Sequence, residues 1–263
     1  MCGIAGYSLG PGSRVNRTLA AQALLAGIAE RGADAVGYAY RAEATLSVHK
    51  QQTGASAILD CVALPPTTAD VLVHVRDYTK GHPAIVANNH PIRHGRVVGI
   101  HNGVIANDDE LFARHALARQ EPEMTVDSEA IFALVDELGT SPATLELLVG
   151  AMAAAWVDER EPEVLHLARG VGRPLWVARG RHEVFFASTR SALEIVERAL
   201  RTTFLKSQVE EGRLLTLAGG TLASARRWRP DSSYREDRAL PAVRAPHEGR
   251  SCLELLSALV APA

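Results

Sequence analysis

The chain has 263 residues, of which 47% are hydrophobic and 22% are charged, and its formal net charge is -2. These values are typical of a globular protein with one substantial core, in one large domain or one domain with an appendage. A near-neutral charge argues against a nucleic-acid-binding protein, and no apolar run approaches the ~18 residues of a membrane span. The N-terminus also lacks the pattern of a secretory signal, so we expect a cytoplasmic protein with neither nucleic acid nor membrane as partner.

The first third of the chain predicts a strand, a helix and a hairpin before a further strand. The opening MCGIAGYSLG is read as a strand. Apolar residues near helical spacing in NRTLAAQALLAGIAERG predict a helix that stops at Gly32. Two short strands around a turn are predicted in DAVGYAYRAEATLSVHK, and β-branched residues predict another strand in VLVHVRDYT.

The middle of the chain predicts a polar loop, one strand and three helices. GHPAIVANNHPIRHGR is loop-like, and VVGIHNGVIAN is read as a strand ending in a turn at its Asn-Gly pair. DDELFARHALA and DSEAIFALVDEL predict helices, the second with Asp127 as an acceptable N-cap. A further helix is predicted for SPATLELLVGAMAAA.

The last third predicts strands, one helix and a polar tail. EVLHLAR, PLWVAR, HEVFFAS and GRLLTLAGG are read as strands, and STRSALEIVERAL as a helix that begins at a Ser/Thr cap. Strands in hairpin-like succession and helices in groups favour an α+β fold with mostly antiparallel sheets. From about residue 225 the chain is rich in Arg, Pro and Ser, which predicts a linker, and CLELLSALV predicts a short amphipathic helix.

Three cysteines, at positions 2, 61 and 252, are too few and too far apart for a disulfide framework or a zinc motif. We expect Cys61 and Cys252 to be small buried hydrophobic residues. Cys2 differs, because removal of Met1 would place an α-amine with a pKa of roughly 7.7–8.0 on the same residue as the thiol. That amine could then act as the base for the nucleophile. The alternative is that Cys2 is only a packed residue of an edge strand.

Six blocks in consistent order extend this interpretation. MCGIAGY, ERGADAVGY, HVRDYTKGHP, NNHP, HNGVIAN and VDSEAI together resemble the glutaminase domain of class II glutamine amidotransferases. That family has the N-terminal-nucleophile hydrolase fold and includes the glutaminase half of glucosamine-6-phosphate synthase. The similarity covers about residues 2–220, so we assign residues 2–225 to this domain and 226–263 to the linker and C-terminal helix.

The resemblance implies a nucleophile and an oxyanion hole. Cys2 would attack the side-chain amide of L-glutamine. Asn102 and Gly103, in HNG, would bind the developing oxyanion through a side-chain amide and a backbone N–H. Without the resemblance, an Asn-Gly pair is equally a common turn.

The resemblance also implies a site for the amino-acid end of glutamine. Arg76 would pair with the α-carboxylate, assisted by Thr79, and Asp127 would bind the α-ammonium group. Taken singly, Arg76 could be a surface arginine and Asp127 only a helix cap. The residues expected behind the site are Arg31, Gly32 and His90.

Two positions depart from the family pattern in the loop that covers bound glutamine in relatives. Asp77 stands where a tryptophan is common, and Lys80 stands where a histidine is common. Loop closure and coupling to a partner site are therefore expected to differ. The nucleophile, the oxyanion pair and the charged groups for the amino acid are all present.

The fold implied by the resemblance is a four-layer αββα sandwich, and the reaction is release of ammonia from L-glutamine through a Cys2 thioester. Too few residues follow position 225 for a synthetase domain, so a separate ammonia-accepting synthetase or transferase protein is expected. No cofactor and no metal are expected, since the spacing of His82, His90, His94 and His101 matches no zinc pattern. Two alternatives are an amidohydrolase acting on another γ-glutamyl compound and a non-catalytic glutamine-sensing or interaction module.

Overall fold

Two antiparallel sheets lie face to face between two layers of helices, which confirms the predicted α+β sandwich. The structure is a computed structural model and describes residues 2–43, 45–234 and 241–261. Residues 235–240 of the predicted linker, Ala44 of the predicted hairpin turn, and Met1 lie outside the described residues. Within these ranges, no helix combines the length and the apolar character that crossing a membrane requires.

The element bounds are as follows. The strands are β1 (Gly3–Leu9), β2 (Ala35–Ala42), β3 (Thr45–Gln51), β4 (Thr68–Arg76), β5 (Ile92–His94), β6 (Val97–Ile105), β7 (Gly150–Asp158), β8 (Val164–Arg169), β9 (Trp176–Arg179), β10 (Glu183–Ala187), β11 (Leu205–Gln208), β12 (Arg213–Ala218) and β13 (Thr221–Arg227). The helices are α1 (Arg17–Ile28), α2 (Asp108–Arg114), α3 (Glu129–Leu138), α4 (Pro142–Leu145), α5 (Arg190–Leu200) and α6 (Pro246–Val260).

Strand order places β1 and β4 in the middle of the first sheet and β6 beside the edge strand β5 of the second. The first sheet has the order β11-β9-β10-β1-β4-β2-β3, and the second has the order β13-β12-β8-β7-β6-β5. Alternate side chains of each strand point to opposite faces of its sheet. In β1, Ala5, Tyr7 and Leu9 pack under α1 and α5, whereas Ile4 packs between the sheets. The inter-sheet core therefore receives the even-numbered positions of β1.

The predicted first helix is present, and its α-helical part ends at Ile28, before the predicted stop at Gly32. Asn16 caps α1 by accepting a hydrogen bond from the backbone N–H of Leu19 at 3.0 Å. Most of the helix is buried Ala and Leu, and it passes through a 3-10 turn at Ala29–Arg31 before Gly32. This turn delivers Arg31 to the end of the sheet.

Two element predictions in the middle of the chain are wrong. The helix predicted over 141–155 is only α4, and the Ala-rich remainder forms β7, a central strand of the second sheet. All nine residues of β7 are buried, so neighbouring strands override the helical propensity of alanine. The turn predicted at Asn-Gly is also absent, because β6 continues through Asn102 and Gly103 to Ile105.

The C-terminal part is more structured than its composition indicates. Strand β13 ends at Arg227, beyond the proposed boundary at 225, and the Trp228 side chain is buried. Helix α6 begins at Pro246, earlier than predicted, and packs on the first sheet's helices through Cys252 and Leu256. Cys252 is thus buried as expected, whereas the same prediction for Cys61 is wrong, because Cys61 is exposed.

Candidate active site

Strand register places Cys2 and Arg76 at the same end of the first sheet. Gly3 pairs with Val75 across β1 and β4, so the next residues outward, Cys2 and Arg76, lie opposite one another at the end of this antiparallel pair. Both lie an even number of residues from inter-sheet residues, Ile4 and Leu72 respectively, which puts them on the inter-sheet face. Charge on Cys2 and on Asp127 raises the pKa of Arg76, against the larger lowering caused by burial. Cys2, Arg76 and Asp127 therefore lie within electrostatic range of one another.

The second sheet brings Asn102 to the same end of the sandwich. Ile100 of β6 packs between the sheets, and Asn102, two residues further along, shares that face. The ring Nε2 of His74 in β4 lies 3.1 Å from the backbone oxygen of His101 in β6. This hydrogen bond joins the two sheets beside Arg76 on one strand and Asn102 on the other.

Asn102 is 1% exposed, and neither atom of its side-chain amide has a hydrogen-bond partner among the described residues. An unsatisfied buried amide costs about 1–3 kcal/mol, so such groups are rare unless something else binds them. The next residue, Gly103, has φ of +149°, and a Cβ there would lie 1.8 Å from the Ala151 oxygen. Only glycine fits this position, and its conformation interrupts the regular strand directly after Asn102.

The Cys2 thiol is half-buried and points at the end of β4. Its Sγ donates a hydrogen bond to the backbone oxygen of Asp77 at 3.5 Å, and Arg31 Nε donates to the Cys2 carbonyl at 2.9 Å. Burial raises the pKa of the thiol, and this outweighs the opposing effects of the Asp77 hydrogen bond and the Arg76 charge. The thiol is therefore mainly protonated at neutral pH, and attack on an amide requires a base.

Arg76 is buried and holds the loop that follows it, so it is not a surface arginine. Its Nη1 donates to Asn89 Oδ1, while Nη2 donates to the backbone oxygens of Lys80 and Gly81. Gly32 packs directly against the Arg76 backbone, because a Cβ at position 32 would lie 2.3 Å from the Arg76 oxygen. The guanidinium group thus organises residues 80–81 in this structure.

Asp127 is buried and does not cap α3, whose N-cap position is Ser128. Its Oδ2 accepts a hydrogen bond from the backbone N–H of Ile105 at 2.7 Å, which fixes the carboxylate at the end of β6. Burial raises the pKa of Asp127 to about 6, with the Ile105 hydrogen bond opposing it. At neutral pH the group is mainly ionised, and its charge favours a cation nearby.

His90 fills the interior beneath Arg76. Its ring stacks on that of His74 with centroids 4.1 Å apart, and neither ring nitrogen finds a partner in the described part of the chain. Burial lowers the pKa of His90 well below its usual value, and it lowers the pKa of His74 to about 3. Both imidazoles are therefore neutral, and they support the site without adding charge to it.

The loop after Arg76 contains the two departures from the family pattern. Thr79 is exposed, and within the described ranges of the chain no hydrogen bond joins it to Cys2. Lys80 Nζ lies 2.6 Å from Asp108 Oδ2 and 3.1 Å from Asp109 Oδ2, at the N-terminus of α2. The sequence analysis did not predict this contact. The only sequence signal for it was the acidic pair Asp108 and Asp109. The Asn89 contact with Arg76 had no signal beyond its place in NNHP.

Comparison with known proteins shows which family the chain resembles. A family profile described as a glutamine amidotransferase domain matches residues 76–195. Glutamine–fructose-6-phosphate aminotransferase (isomerizing) of Caulobacter vibrioides is 36% identical over 172 residues, which are 62% of this chain and 28% of that protein. The Geobacillus kaustophilus protein of the same name is 34% identical over 193 residues, covering 68% of this chain and 30% of the relative.

A solved structure shows the same fold. Glutamine phosphoribosylpyrophosphate amidotransferase from B. subtilis, complexed with ADP and GMP, superposes with a TM-score of 0.68 at 20% identity. The match covers 86% of this chain and 49% of that one. Taken with the profile and the relatives in sequence, the fold and the ordered motifs identify what this chain contains. It carries a glutamine amidotransferase domain of class II, the type built on the N-terminal-nucleophile hydrolase fold.

Proposed function

We propose that this protein hydrolyses the side-chain amide of L-glutamine with Cys2 as nucleophile. The observation that carries the proposal is the buried amide of Asn102, which lacks a partner among the described residues and lies at the Cys2 end of the sandwich beside Gly103. The Asn102 amide and the Gly103 backbone N–H would be two donors to an oxyanion in a site from which water is excluded. Such a donor typically contributes ~2.7–4 kcal/mol.

The proposed steps balance as an acyl transfer. After removal of Met1, the α-amine of Cys2 accepts the thiol proton while sulfur bonds to the amide carbon. The tetrahedral oxyanion rests on Asn102 and Gly103. The α-amine then returns the proton to the leaving nitrogen, ammonia departs, and water hydrolyses the thioester to glutamate and free thiol.

The charged groups near the site suit the two ends of an amino acid. In the proposal, Asp127 binds the α-ammonium group and Arg76 binds the α-carboxylate, with Thr79 at the same end. Carboxylate binding by Arg76 Nη2 exchanges its bonds to the Lys80 and Gly81 oxygens for bonds to substrate. We therefore expect residues 80–81 to move when glutamine binds.

The use of the ammonia is a separate part of the proposal. The chain spans about 28–30% of the length of the relatives described above. Because those relatives are named as aminotransferases, we propose that the ammonia passes to an ammonia-accepting synthetase or transferase unit. A cytoplasmic location, where unpaired thiols persist, is consistent with the free Cys2, Cys61 and Cys252, and remains a prediction.

The test uses a Cys61→Ser background, because Cys61 is the exposed thiol. The protein is treated with a glutamine-analogue diazo ketone, and the modified peptide is identified by mass spectrometry beside an assay of glutamate release. We expect an adduct on Cys2, an N-terminal sequence beginning at Cys2, and loss of both adduct and activity in Cys2→Ala. Active protein that retains Met1 would overturn the mechanism. An adduct without glutamine turnover would instead favour another γ-glutamyl substrate, and no adduct would favour a non-catalytic module.

A further inference from the structure

The segment before α6 crosses the catalytic end of the molecule. The backbone N–H groups of Arg244 and Ala245 both donate to the Glu30 oxygen at 2.8 Å. The Arg244 side chain extends to the segment that follows β4, where its Nε lies 3.2 Å from Asp77 Oδ2. One short stretch of chain therefore contacts both the turn after α1 and the residue after β4.

These two contacts adjoin the two contacts that hold Cys2. Arg31, next to Glu30, donates to the Cys2 carbonyl, and the backbone oxygen of Asp77 accepts from the Cys2 thiol. Cys2 is thus held between two segments, and Arg244 connects those segments on their outer side.

The crossing segment is itself firmly placed by α6. Glu248 accepts hydrogen bonds from the Ser56 backbone N–H at 2.8 Å and from its hydroxyl at 3.0 Å. Gly54 leaves room for this carboxylate, since a Cβ there would lie 2.3 Å from Glu248. With Cys252 and Leu256 buried against the body, Arg244 is presented from a fixed support.

We propose that Arg244 is a positioning residue for Cys2, which acts by pairing with Asp77 and fixing the backbone oxygen that contacts the thiol. The proposal rests on the function proposed above, because it takes Cys2 as the nucleophile. It assigns a role to the C-terminal segment and to Asp77, where the family commonly has tryptophan.

The charges around the thiol give the direction of the effect. Burial raises the pKa of the thiol most; of the charges that face it, those of the N-terminal amine and Arg76 lower the pKa and that of Asp77 raises it. Arg31 lies against the Cys2 carbonyl. Arg244 offsets the Asp77 charge from the outside. Removing Arg244 takes away one positive charge beside the Asp77 carboxylate and one contact that constrains its backbone, so the thiol should become harder to ionise.

The experiment measures the pH dependence of Cys2 alkylation by iodoacetamide in the Cys61→Ser background. Arg244→Ala should move the alkylation midpoint to higher pH and slow the reaction at pH 8 by about two- to fivefold, as expected for a partly exposed ion pair. Arg250→Ala, at an exposed arginine within the following helix α6, is the matched control and should leave the profile unchanged. Arg244→Lys should restore most of the rate.

A double-mutant cycle tests the route through Asp77. In an Asp77→Asn background, Arg244→Ala should have no further effect on the alkylation midpoint. Equal profiles for Arg244→Ala and Arg250→Ala, or an unchanged Arg244→Ala effect in the Asp77→Asn background, would overturn the proposal. Alkylation needs no glutamine, so absence of glutaminase activity with an intact Arg244 effect would refute only the proposed function. Melting temperatures of all variants show whether the fold is retained.

Discussion

At the scale of single residues, Asn102 is placed at a cost to stability. Its amide is buried without a partner among the described residues, and no strand contact explains its presence at this position of β6. Asn107, two residues beyond the strand, shows the opposite arrangement. Its amide donates to the Leu147 oxygen at 2.9 Å and accepts from the Val149 N–H at 3.0 Å. One asparagine serves the fold, and the other is available to a ligand.

We expect Asn102→Ala to lower kcat by about 100- to 1,000-fold with a small change in KM, because an oxyanion donor acts mainly in the transition state. Its melting temperature should hold or rise, since an unsatisfied buried amide is removed. Steady-state kinetics and thermal unfolding check both parts.

The matched variant is Asn107→Ala, which should lower the melting temperature while kcat is kept, because two hydrogen bonds to the α4–β7 connection are lost. If the two variants lost activity and stability in the same proportion, the assignment of Asn102 to the oxyanion hole would be wrong.

The raised pKa of Asp127 predicts a pH limit for substrate binding. The pKa is about 6 because the carboxylate is buried. Below that pH the group is neutral and no longer attracts an ammonium group, so kcat/KM for glutamine should fall as pH decreases through about 6. Kinetics from pH 5 to 8 test this: the limb of the α-amine base, at roughly 7.7–8.0, should remain in Asp127→Asn at a lower overall value, whereas the additional fall through about 6 should be lost. A wild-type profile without an acid limb near 6 would contradict the role.

At the scale of elements, β6 combines a regular strand with one irregular residue. The positive φ of Gly103 turns its N–H out of the usual ladder direction, directly after the Asn102 side chain. The neighbouring strand β7 approaches so closely that the Ala151 oxygen occupies the place of a Cβ. The β6–β7 pair therefore specifies glycine twice, by conformation and by space.

Gly103→Ala should destabilise the fold by more than the ~1–3 kcal/mol of backbone strain alone, since the clash with Ala151 adds to it, and kcat should fall as well. Gly139→Ala is the control, because Gly139 also has positive φ, +79°, but nothing lies within 4 Å of its would-be Cβ. Denaturant unfolding compares the two. Equal losses would mean that space at Gly103 is not limiting.

The success of sequence interpretation differed between elements for physical reasons. Amphipathic α5 and the β2–β3 hairpin were predicted from local pattern, and the ordered motifs predicted the layered fold. The strand in GAMAAAWVD was not predicted, because alanine by itself favours a helix. Its buried position between β6 and β8 decides its conformation instead. Strand β13 was hidden by an Arg-rich composition that suits an exposed edge.

The site shows the same limit. Sequence order placed Cys2, Arg76, Asn102 and Asp127 in one family pattern. It held no sign that Arg244, far along the chain, lies against Asp77. Contacts that depend on the docking of a whole helix have no local signature.

At the scale of the whole molecule, three neutral histidines are buried near one another, His74 and His90 stacked together and His101 against Ser128 at the start of α3. His74, His90 and His101 are all buried, and burial lowers the pKa of His74 and of His101 to about 3 and that of His90 well below its usual value. In the unfolded chain each takes up a proton near pH 6.5. Protons therefore favour unfolding, and stability that is present above pH 6.5 is lost as pH falls.

We expect the free energy of unfolding to drop between pH 7 and pH 5 by about 2 kcal/mol for each of these groups. Urea unfolding at the two pH values measures the drop. His90→Phe keeps a ring in place that cannot be protonated, and it should reduce the pH dependence, whereas His49→Gln on the exposed side of β3 should not. An equal pH dependence in wild type and His90→Phe would contradict this account.

The exposed edge strand β13 has a consequence for behaviour at high concentration. All seven of its residues are exposed, including Leu222, and unpaired backbone groups along such an edge are a template for adding strands from another molecule. Arg226 and Arg227 occupy the end of this edge, where a second copy would bring like charges together. The arginines that made the segment look like a linker thus oppose self-association, and replacing them with threonine should promote aggregation.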